Sequence, residues 1–301
     1  GHSYRSEDAL WLRTTEFGDD KDRVLIRAGG EPTYFAADLA YHADKLARGY
    51  DLLIDVLGAD HHGYIGRMRA ALAALGAAPE AFEAPIMQLV SIVEGGERTQ
   101  MAKRSGEFVA LDELIADIGA DATRFFMLDR SHETPVDLDL ELARRHSSDN
   151  PVYYVQYAHA RIASILRKAA AESAIAGAGG AATDDTATDD DGGLTAAEAA
   201  VPGIDPSAAR TPLEPAERAL IKRLLEFPDE VREAAARRAP HRICAYATAI
   251  AADFHAFYRD CQVVGAEGER TQDFRLALSL ATKRTLAASL YLLGITAPDR
   301  M

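Results

Sequence analysis

Asn150–Arg161 reads NPVYYVQYAHAR and begins a long helical pattern. Proline suits the first position of a helix, where its missing N–H leaves no hydrogen bond unmade, so the helix is expected to start at Pro151. Apolar residues recur at helical spacing and predict one buried face; they are Val152, Val155, Ile162 and Ile165. Further helix-like segments follow around 216–227, 229–237, 240–260 and 272–293. Residues 146–301 are therefore predicted to form an α-helical bundle.

The preceding part of the chain has a different pattern, typical of an α/β domain. An apolar run at 52–58 predicts a buried strand, followed by the polar turn Asp60-His61-His62-Gly63 and a helix that ends at Gly76. A second strand is predicted over 86–93. Strand, turn and helix in this order predict an α/β domain over residues 1–145.

Length and composition fit a globular protein of two domains. The chain has 301 residues, of which 48% are apolar, and it carries 47 acidic against 33 basic residues for a net charge of −14. The apolar stretch Leu286–Ile295 is too short for a membrane span, and we expect neither a membrane anchor nor a signal segment. Two cysteines cannot supply a four-ligand zinc site, so no metal is expected and a reducing cytoplasm is the predicted location.

Residues 173–215 are rich in Ala, Gly, Thr, Asp and Pro and have few large apolar side chains. This composition predicts a flexible acidic insertion within the helical domain. It concentrates negative charge against one cation, Arg210; the acidic residues are Asp184, Asp185, Asp189, Asp190, Asp191, Glu198, Asp205 and Glu214. Because the excess charge is concentrated there, the net charge does not exclude a nucleic-acid partner elsewhere on the chain.

Three further groups of residues could carry chemistry. Lys103 and Arg104, beside Met101 and near Gly106, could close on a polyphosphate, although this composition is also typical of a solvated loop. Tyr34 and Asp38 lie four residues apart and so share a helical face, where the carboxylate could bind a cation or be an ordinary surface residue. The turn residues Asp60, His61 and His62 follow a strand end, where α/β sheets bind ligands, and they favour a substrate pocket over a metal.

Aromatic and basic side chains also alternate on the long helix. Tyr154, Tyr157, Arg161 and Lys168 lie on a stripe distinct from the apolar one. Such a stripe can stack on and neutralise single-stranded nucleotides, but an ordinary amphipathic helix with tyrosines at the core edge fits the pattern equally well.

Four motifs in order resemble the arginyl-tRNA synthetases, which are class I aminoacyl-tRNA synthetases. They are GADHHGY at Gly58–Tyr64, QMAKR at Gln100–Arg104, GADATRFFML at Gly119–Leu128, and NPVYYVQYAHAR at Asn150–Arg161. The resemblance extends from about Trp11 to Met301 and is interrupted by the acidic insertion. It implies a partial Rossmann-type catalytic domain followed by an all-α anticodon-binding domain.

The resemblance also implies a reaction and its site residues. The family activates arginine with ATP and Mg²⁺ and transfers the arginyl group to its tRNA. Lys103 and Arg104, with Met101, would hold the ATP phosphates. Tyr34 and Asp38 would grip the guanidinium of arginine, and Asp60, His61 and His62 would line the same pocket. The residues implied to contact the anticodon loop are Tyr154, Tyr157, Arg161, Tyr258 and Met301.

One expected motif is absent. Class I synthetases carry a His-Ile-Gly-His-type motif, and nothing before Asp60 supplies it. We therefore expect the chain to be the C-terminal part of a monomeric ligase, inactive alone. The alternatives are a tRNA-binding module without catalysis and another class I synthetase, for cysteine or methionine, although those enzymes usually carry cysteine-rich metal sites.

Overall fold

The computed structural model describes residues 1–98, 110–177, 195–199, 201, 212–267 and 269–301. Contacts within the chain divide it into two compact units. The first comprises Gly1–Leu89 and His132–Val136, and the second comprises Val90–Ser131 and Asp137–Met301. The predicted boundary near residue 146 falls inside the second unit, so the division into functional domains stays a prediction.

The first unit combines an antiparallel sheet with short parallel strand pairs and helices. The antiparallel sheet consists of β1 (Ser3–Ser6), β2 (Ala9–Leu12) and β3 (Arg23–Ile26), in that order. The α-helices are α1 (Tyr34–Ala47) and α2 (Tyr64–Ala74). The parallel pairs join β4 (Leu53–Ile54) to β6 (Phe82–Glu83) and β5 (Leu57–Gly58) to β7 (Ile86–Met87).

The predicted strand over 52–58 is divided in the structure. The amide of Asp55 donates to the carbonyl of Glu83 at 2.9 Å, and the amide of Leu57 donates to the carbonyl of Pro85 at 3.1 Å. These bonds skip Val56, which is 66% exposed, so the run pairs as β4 and β5 rather than as one strand. The predicted strand over 86–93 is divided in the same way, at the 75% exposed Leu89.

The parallel pairs and helix α2 give the first unit its α/β character. The predicted helix after the polar turn is confirmed: α2 ends at Ala74, and Gly76 follows with a φ of +89°, a conformation that glycine adopts without strain. Two small apolar clusters form the core of this unit, one of Leu12, Phe35, Leu39 and Ala71, the other of Leu53, Met68, Leu72 and Phe82. The Rossmann-type topology stays a prediction.

The second unit is mainly helical. A three-stranded sheet has the order β10 (Val136–Asp139), β8 (Val90–Glu94) and β9 (Glu97–Arg98). The α-helices in the described part are α3 (Leu111–Ile118), α4 (Ala120–Leu128), α5 (Leu140–Arg144), α6 (Pro151–Gly177), α7 (Ala196–Ala199), α8 (Pro215–Leu225), α9 (Phe227–Ala236), α10 (His241–Asp260) and α11 (Glu269–Leu292). The predicted helical bundle is thus confirmed, including the start of α6 at Pro151.

Helix α10 is at the centre of this bundle and packs against α6, α8, α9 and α11. The predicted apolar stripe of α6 is buried: Val155 and Ile162 are fully covered, and Val152 and Ile165 nearly so. They join one continuous core with Phe254 of α10. Each fully buried aliphatic or aromatic side chain of this core contributes about 1.5–3 kcal/mol through the hydrophobic effect.

Much of the predicted insertion, 173–215, lies outside the described residues. At its start, α6 continues through Ser173 to Gly177. Within it, α7 packs against α6, and Ala197 and Val201 contact the core. The part that the structure describes is therefore attached to the bundle rather than wholly solvated.

Leucines on helix α11 provide a matched test of this core. Leu286 is fully buried, whereas Leu292 on the same helix is 51% exposed. We predict that Leu286→Ala lowers the free energy of unfolding by about 2–5 kcal/mol, because it leaves a cavity, and that Leu292→Ala costs less than about 1 kcal/mol. Urea denaturation measures both values, and equal losses would contradict the described packing.

Candidate functional site

Two groups of chemistry-bearing residues stand out, one in each unit. In the first unit, the Thr33 hydroxyl caps helix α1 by accepting from the amide of Ala36 at 3.2 Å. The helix therefore begins at Tyr34, and its residues Phe35 and Leu39 enter the core. Asp38 follows one turn after Tyr34, as the four-residue spacing predicted.

The carboxylate of Asp38 is bound by a tyrosine from the next helix. The hydroxyl of Tyr64 donates to Asp38 Oδ2 at 2.6 Å. Burial raises the pKa of Tyr64 well above its ordinary value, and the hydrogen bond and negative charge of Asp38 raise it further. The phenol therefore stays protonated and remains a donor at neutral pH. The sequence analysis included Tyr64 in the motif GADHHGY but did not name it as a site residue.

Among the described residues, the others predicted for this pocket form no hydrogen bond or ion pair with Asp38. Tyr34 is 90% exposed at the first position of α1. Asp60, His61 and His62 are exposed, and the Asp60 carboxylate lies 3.2 Å from Nδ1 of His61. Within the described part of the chain, the Asp38 side chain hydrogen-bonds to Tyr64 alone. The roles of the other four residues stay predictions.

A buried charged cluster adjoins Asp38 and was missed by sequence reasoning. His42 is 4% exposed, with Nδ1 2.8 Å from the Asp38 carbonyl oxygen and Nε2 2.7 Å from Asp55 Oδ2. Lys45 donates to the other Asp55 oxygen at 3.1 Å. Two signals were present: His42 lies four residues after Asp38, and Asp55 is the charged residue in the apolar run 52–58.

In the second unit, the predicted aromatic and basic residues come together on α6 and α10. The Arg161 guanidinium lies 4.6 Å from the ring centre of Tyr258 and 5.8 Å from that of Tyr157, within the range of cation–π contacts. His255 of α10 packs beside the ring of Tyr154 with centroids 5.0 Å apart. We call Tyr154, Tyr157, Arg161, His255 and Tyr258 the aromatic surface.

Two rings missed by sequence reasoning extend this surface. Tyr153 is stacked on Tyr157 with ring centres 6.1 Å apart and planes 9° apart, and His146 is stacked on Tyr153 at 5.8 Å and 8°. The signal was the four-residue spacing of Tyr153, Tyr157 and Arg161, which puts them on one side of the helix. Lys168, in contrast, lies 3.8 Å from Glu172 and joins none of these rings.

Met301 lies at the edge of a cavity of about 360 Å³ that Tyr153, His146 and Gln156 also line. The segment before Met301 is held firmly. Thr296 donates its amide to Asp121 Oδ1 at 3.2 Å, and Gln156 Nε2 donates to Asp121 and to the Thr296 carbonyl at 2.8 and 3.0 Å. Asp121 opens the sequence DATR, so this motif anchors the end of the chain.

A buried lysine holds the same C-terminal segment. Lys283, 6% exposed, lies 2.8 Å from Asp299 and 2.7 Å from Glu198 of α7. His159 Nδ1 donates to the Pro298 carbonyl at 2.9 Å, and burial lowers the pKa of this histidine. Met301 itself remains 56% exposed, because these contacts fix the preceding residues and not its side chain.

The loop that carries Met101, Lys103 and Arg104 lies outside the described residues, so its role in binding ATP stays a prediction. In the part that the structure describes, no group of three His, Cys, Asp or Glu side chains is arranged to hold a metal ion. None of the described helices is both long and apolar enough to cross a bilayer. Cys244 and Cys261 are unpaired and buried, and burial raises the pKa of Cys244 to about 12.

Each of these two groups contains a charged side chain that is available to bind a ligand. Among the described residues, neither Asp38 nor Arg161 forms a salt bridge; each has tyrosines as its side-chain neighbours. A carboxylate held this way can bind a planar guanidinium, which presents paired N–H donors. A cation among aromatic rings can bind unstacked bases and their phosphates.

Comparisons with known proteins show which families the chain resembles. Residues 155–301 match the family model of the DALR anticodon binding domain. An arginine–tRNA ligase of Desulforudis audaxviator is 47% identical over the whole chain, which corresponds to 49% of that relative. A solved Campylobacter jejuni protein described as an arginyl-tRNA synthetase matches the whole chain and 59% of its own, with 33% identity and a TM-score of 0.79. The Thermus thermophilus arginyl-tRNA synthetase matches with 26% identity and a TM-score of 0.71, over 56% of its chain. The chain thus spans about half the length of the curated relatives it matches.

His255 provides a test of the aromatic surface. Its pKa is lowered by burial and, to a lesser extent, by the positive charge of Arg161. We predict that Arg161→Gln raises the pKa of His255 while leaving it below the ordinary value of about 6.5, because burial persists. NMR titration of the imidazole proton measures the change. Arg167→Gln, which removes a cation bound to the Asp299 carbonyl, is the control. A His255 pKa that is the same with and without Arg161 would contradict the described contact.

Proposed function

We propose that the chain supplies the arginine-binding and tRNA-binding parts of an arginine–tRNA ligase, because it is 47% identical over its whole length to about half of one such enzyme. The proposed reaction is the ATP-dependent activation of arginine followed by transfer of the arginyl group to tRNA. The observation that carries the proposal is the partly exposed pairing of Arg161 with Tyr157 and Tyr258, inside the region that matches an anticodon binding domain.

The aromatic surface is suited to an anticodon loop. Bases in such a loop are unstacked, and stacking on tyrosine or histidine rings contributes about 1–3 kcal/mol for each base. Tyr157 is 39% exposed, and Arg161 beside it supplies a positive charge that no described carboxylate neutralises. We further propose that Met301 contacts the RNA, because the anchored C-terminal segment holds it beside Tyr153.

Asp38 is the proposed ligand for the guanidinium of arginine. Tyr64 engages one of its oxygens, while Oδ1 has no hydrogen-bond partner in the described part of the chain. Charge-assisted hydrogen bonds to a guanidinium would satisfy that oxygen and select arginine against neutral side chains of the same shape. Tyr34, Asp60, His61 and His62 are proposed to complete the pocket when the substrate is bound.

The proposed binding of ATP and Mg²⁺ rests on the sequence alone. Met101, Lys103 and Arg104 match the cationic loop of class I synthetases, and two cations are suited to the phosphates of ATP. No zinc is proposed. The monomeric state and the cytoplasmic location also stay predictions, because none of the contacts described above bears on them.

For the RNA side, we predict that Tyr157→Ala and Arg161→Gln each weaken binding of an arginine tRNA about tenfold, through lost stacking and lost charge. The matched controls are Tyr291→Ala, at an 80% exposed tyrosine, and Arg237→Gln, at an exposed arginine paired with Glu233. Filter binding at several salt concentrations measures the affinities. Equal losses in the control variants would show that the aromatic surface is not the RNA site.

For the arginine side, we predict that Asp38→Asn weakens arginine binding by about 10- to 100-fold, because the charge-assisted hydrogen bonds are lost. Asp44→Asn is the control, since Asp44 lies on the same helix and pairs with Arg48 at the surface. Calorimetry with arginine and with citrulline, its neutral analogue, measures the effect. Unchanged arginine binding by Asp38→Asn would refute the proposed pocket.

A further inference from the structure

We propose that Tyr64 and His42 are positioning residues that hold Asp38 ready for a guanidinium, Tyr64 through the side chain and His42 through the backbone. This inference rests on the proposed function, because it explains how the proposed arginine pocket obtains its selectivity. The geometry that carries it is a chain of four short hydrogen bonds linking Asp38, His42, Asp55, Lys45 and Tyr64.

The side-chain contact fixes the orientation of the carboxylate. An aspartate on an exposed helix turn samples several rotamers, and each is costly to freeze when a ligand binds. The 2.6 Å bond from the Tyr64 hydroxyl selects the rotamer in which Oδ2 faces helix α2. The phenol donates one hydrogen bond and carries no charge, so the negative charge of Asp38 is not cancelled. Oδ1 is therefore left, charged and oriented, for the incoming ligand.

The backbone contact fixes the helix turn that carries Asp38. A carbonyl oxygen can only accept, so the ring nitrogen Nδ1 of His42 donates to the Asp38 carbonyl at 2.8 Å. The opposite nitrogen contacts Asp55, whose own amide pairs with Glu83 across the parallel strands. The histidine thus connects the Asp38 turn of α1 to the strands. A loose turn would instead let the carboxylate drift relative to Tyr64.

The surroundings keep this connection rigid. His42 is 4% exposed, and its ring meets the edge of Phe82 with centroids 5.7 Å apart. Lys45 occupies the second oxygen of Asp55 and lies over the Tyr41 ring at 4.5 Å. The charge of Asp55 is thus neutralised by Lys45, and Asp55 is bonded to His42. Its role is therefore structural, unlike the ligand-binding role proposed for Asp38. Among the described residues, the carboxylate of Asp38 has no such cation.

The test is a double-mutant cycle on the 301-residue chain, with arginine affinity measured by calorimetry and folding by thermal denaturation. We expect Tyr64→Phe to weaken arginine binding about tenfold, with little change in melting temperature and no change in the weak binding of citrulline. In the Asp38→Asn background, the same substitution should have no further effect, because the group it positions is gone. Tyr50→Phe, at a 56% exposed tyrosine that follows α1, is the matched control.

His42→Gln tests the backbone contact in the same way. A glutamine amide can keep the bond to Asp55 while losing the one to the Asp38 carbonyl, so we expect weaker arginine binding that again disappears in the Asp38→Asn background. Thermal denaturation shows whether the variant is folded, and wild-type arginine affinity in the folded variant would overturn the role of His42.

The outcomes separate the inference from the proposed function. Wild-type affinity in Tyr64→Phe, with binding lost in Asp38→Asn, would overturn the positioning roles and leave the arginine pocket intact. An equal further loss in the Asp38→Asn background would also overturn them, because it would show that Tyr64 acts independently of Asp38. Absence of arginine binding by the wild-type chain, or full binding by Asp38→Asn, would instead refute the proposed pocket and the inference with it.

Discussion

Helix α6 must satisfy two environments at once, and the organisation of the second unit depends on this constraint. One face carries Val155 and Ile162 into the core against α10, while the adjacent face carries Tyr157 and Arg161 into solvent. Because 3.6 residues complete a turn, a small rotation of α6 would expose aliphatic side chains and bury the charge of Arg161. The cost of either change fixes the rotation of the helix. The same packing that stabilises the bundle therefore sets the direction of the aromatic surface.

The C-terminal segment is held by polar rather than apolar contacts, and this has a physical consequence. A buried ion pair gains little net stability, because desolvating both charges offsets their attraction, but breaking it leaves an uncompensated charge. Lys283 with Glu198 and Asp299 is such a group, and His159 adds a directed hydrogen bond to Pro298. Hydrogen bonds and ion pairs of this kind form only at particular distances and angles between their partners. They are suited to placing a terminal residue accurately beside a binding surface.

The sequence predicted local features well, but it failed where the two partners of a contact are far apart along the chain. The start of α6 and the end of α2 were predictable because proline and glycine act locally. The division of the run 52–58 was not, because it depends on which carbonyls of the later segment 83–85 accept its amides. Glu198 was missed for the same reason: its partner Lys283 is distant in sequence, and the composition around it indicated solvent.

The candidate site was predictable to a similar extent. Residue type and spacing made Asp38, Tyr157 and Arg161 candidates, since a carboxylate or an arginine beside aromatic rings can bind a cation or RNA. The contact of Asp38 with Tyr64 was not predictable, because it joins two helices whose packing depends on cores that include Phe35 and Met68. Residue spacing predicts which side chains share one face of a helix. This site also depends on how two helices pack against each other.

The side chains that surround Asp38 and Arg161 explain why these two charges are available to ligands. Several charged groups in the described part of the second unit are paired within the protein; Arg275 is paired with Glu217, and Arg144 with Glu94 and Asp117. Such pairs must be broken before either member can bind anything else. Asp38 and Arg161 have tyrosines instead, within the residues that the structure describes. A tyrosine orients a charge through one hydroxyl or a ring face and leaves its sign intact. A ligand of opposite charge then does not have to displace a counter-ion first, and this is the physical basis for proposing a guanidinium at one site and RNA at the other.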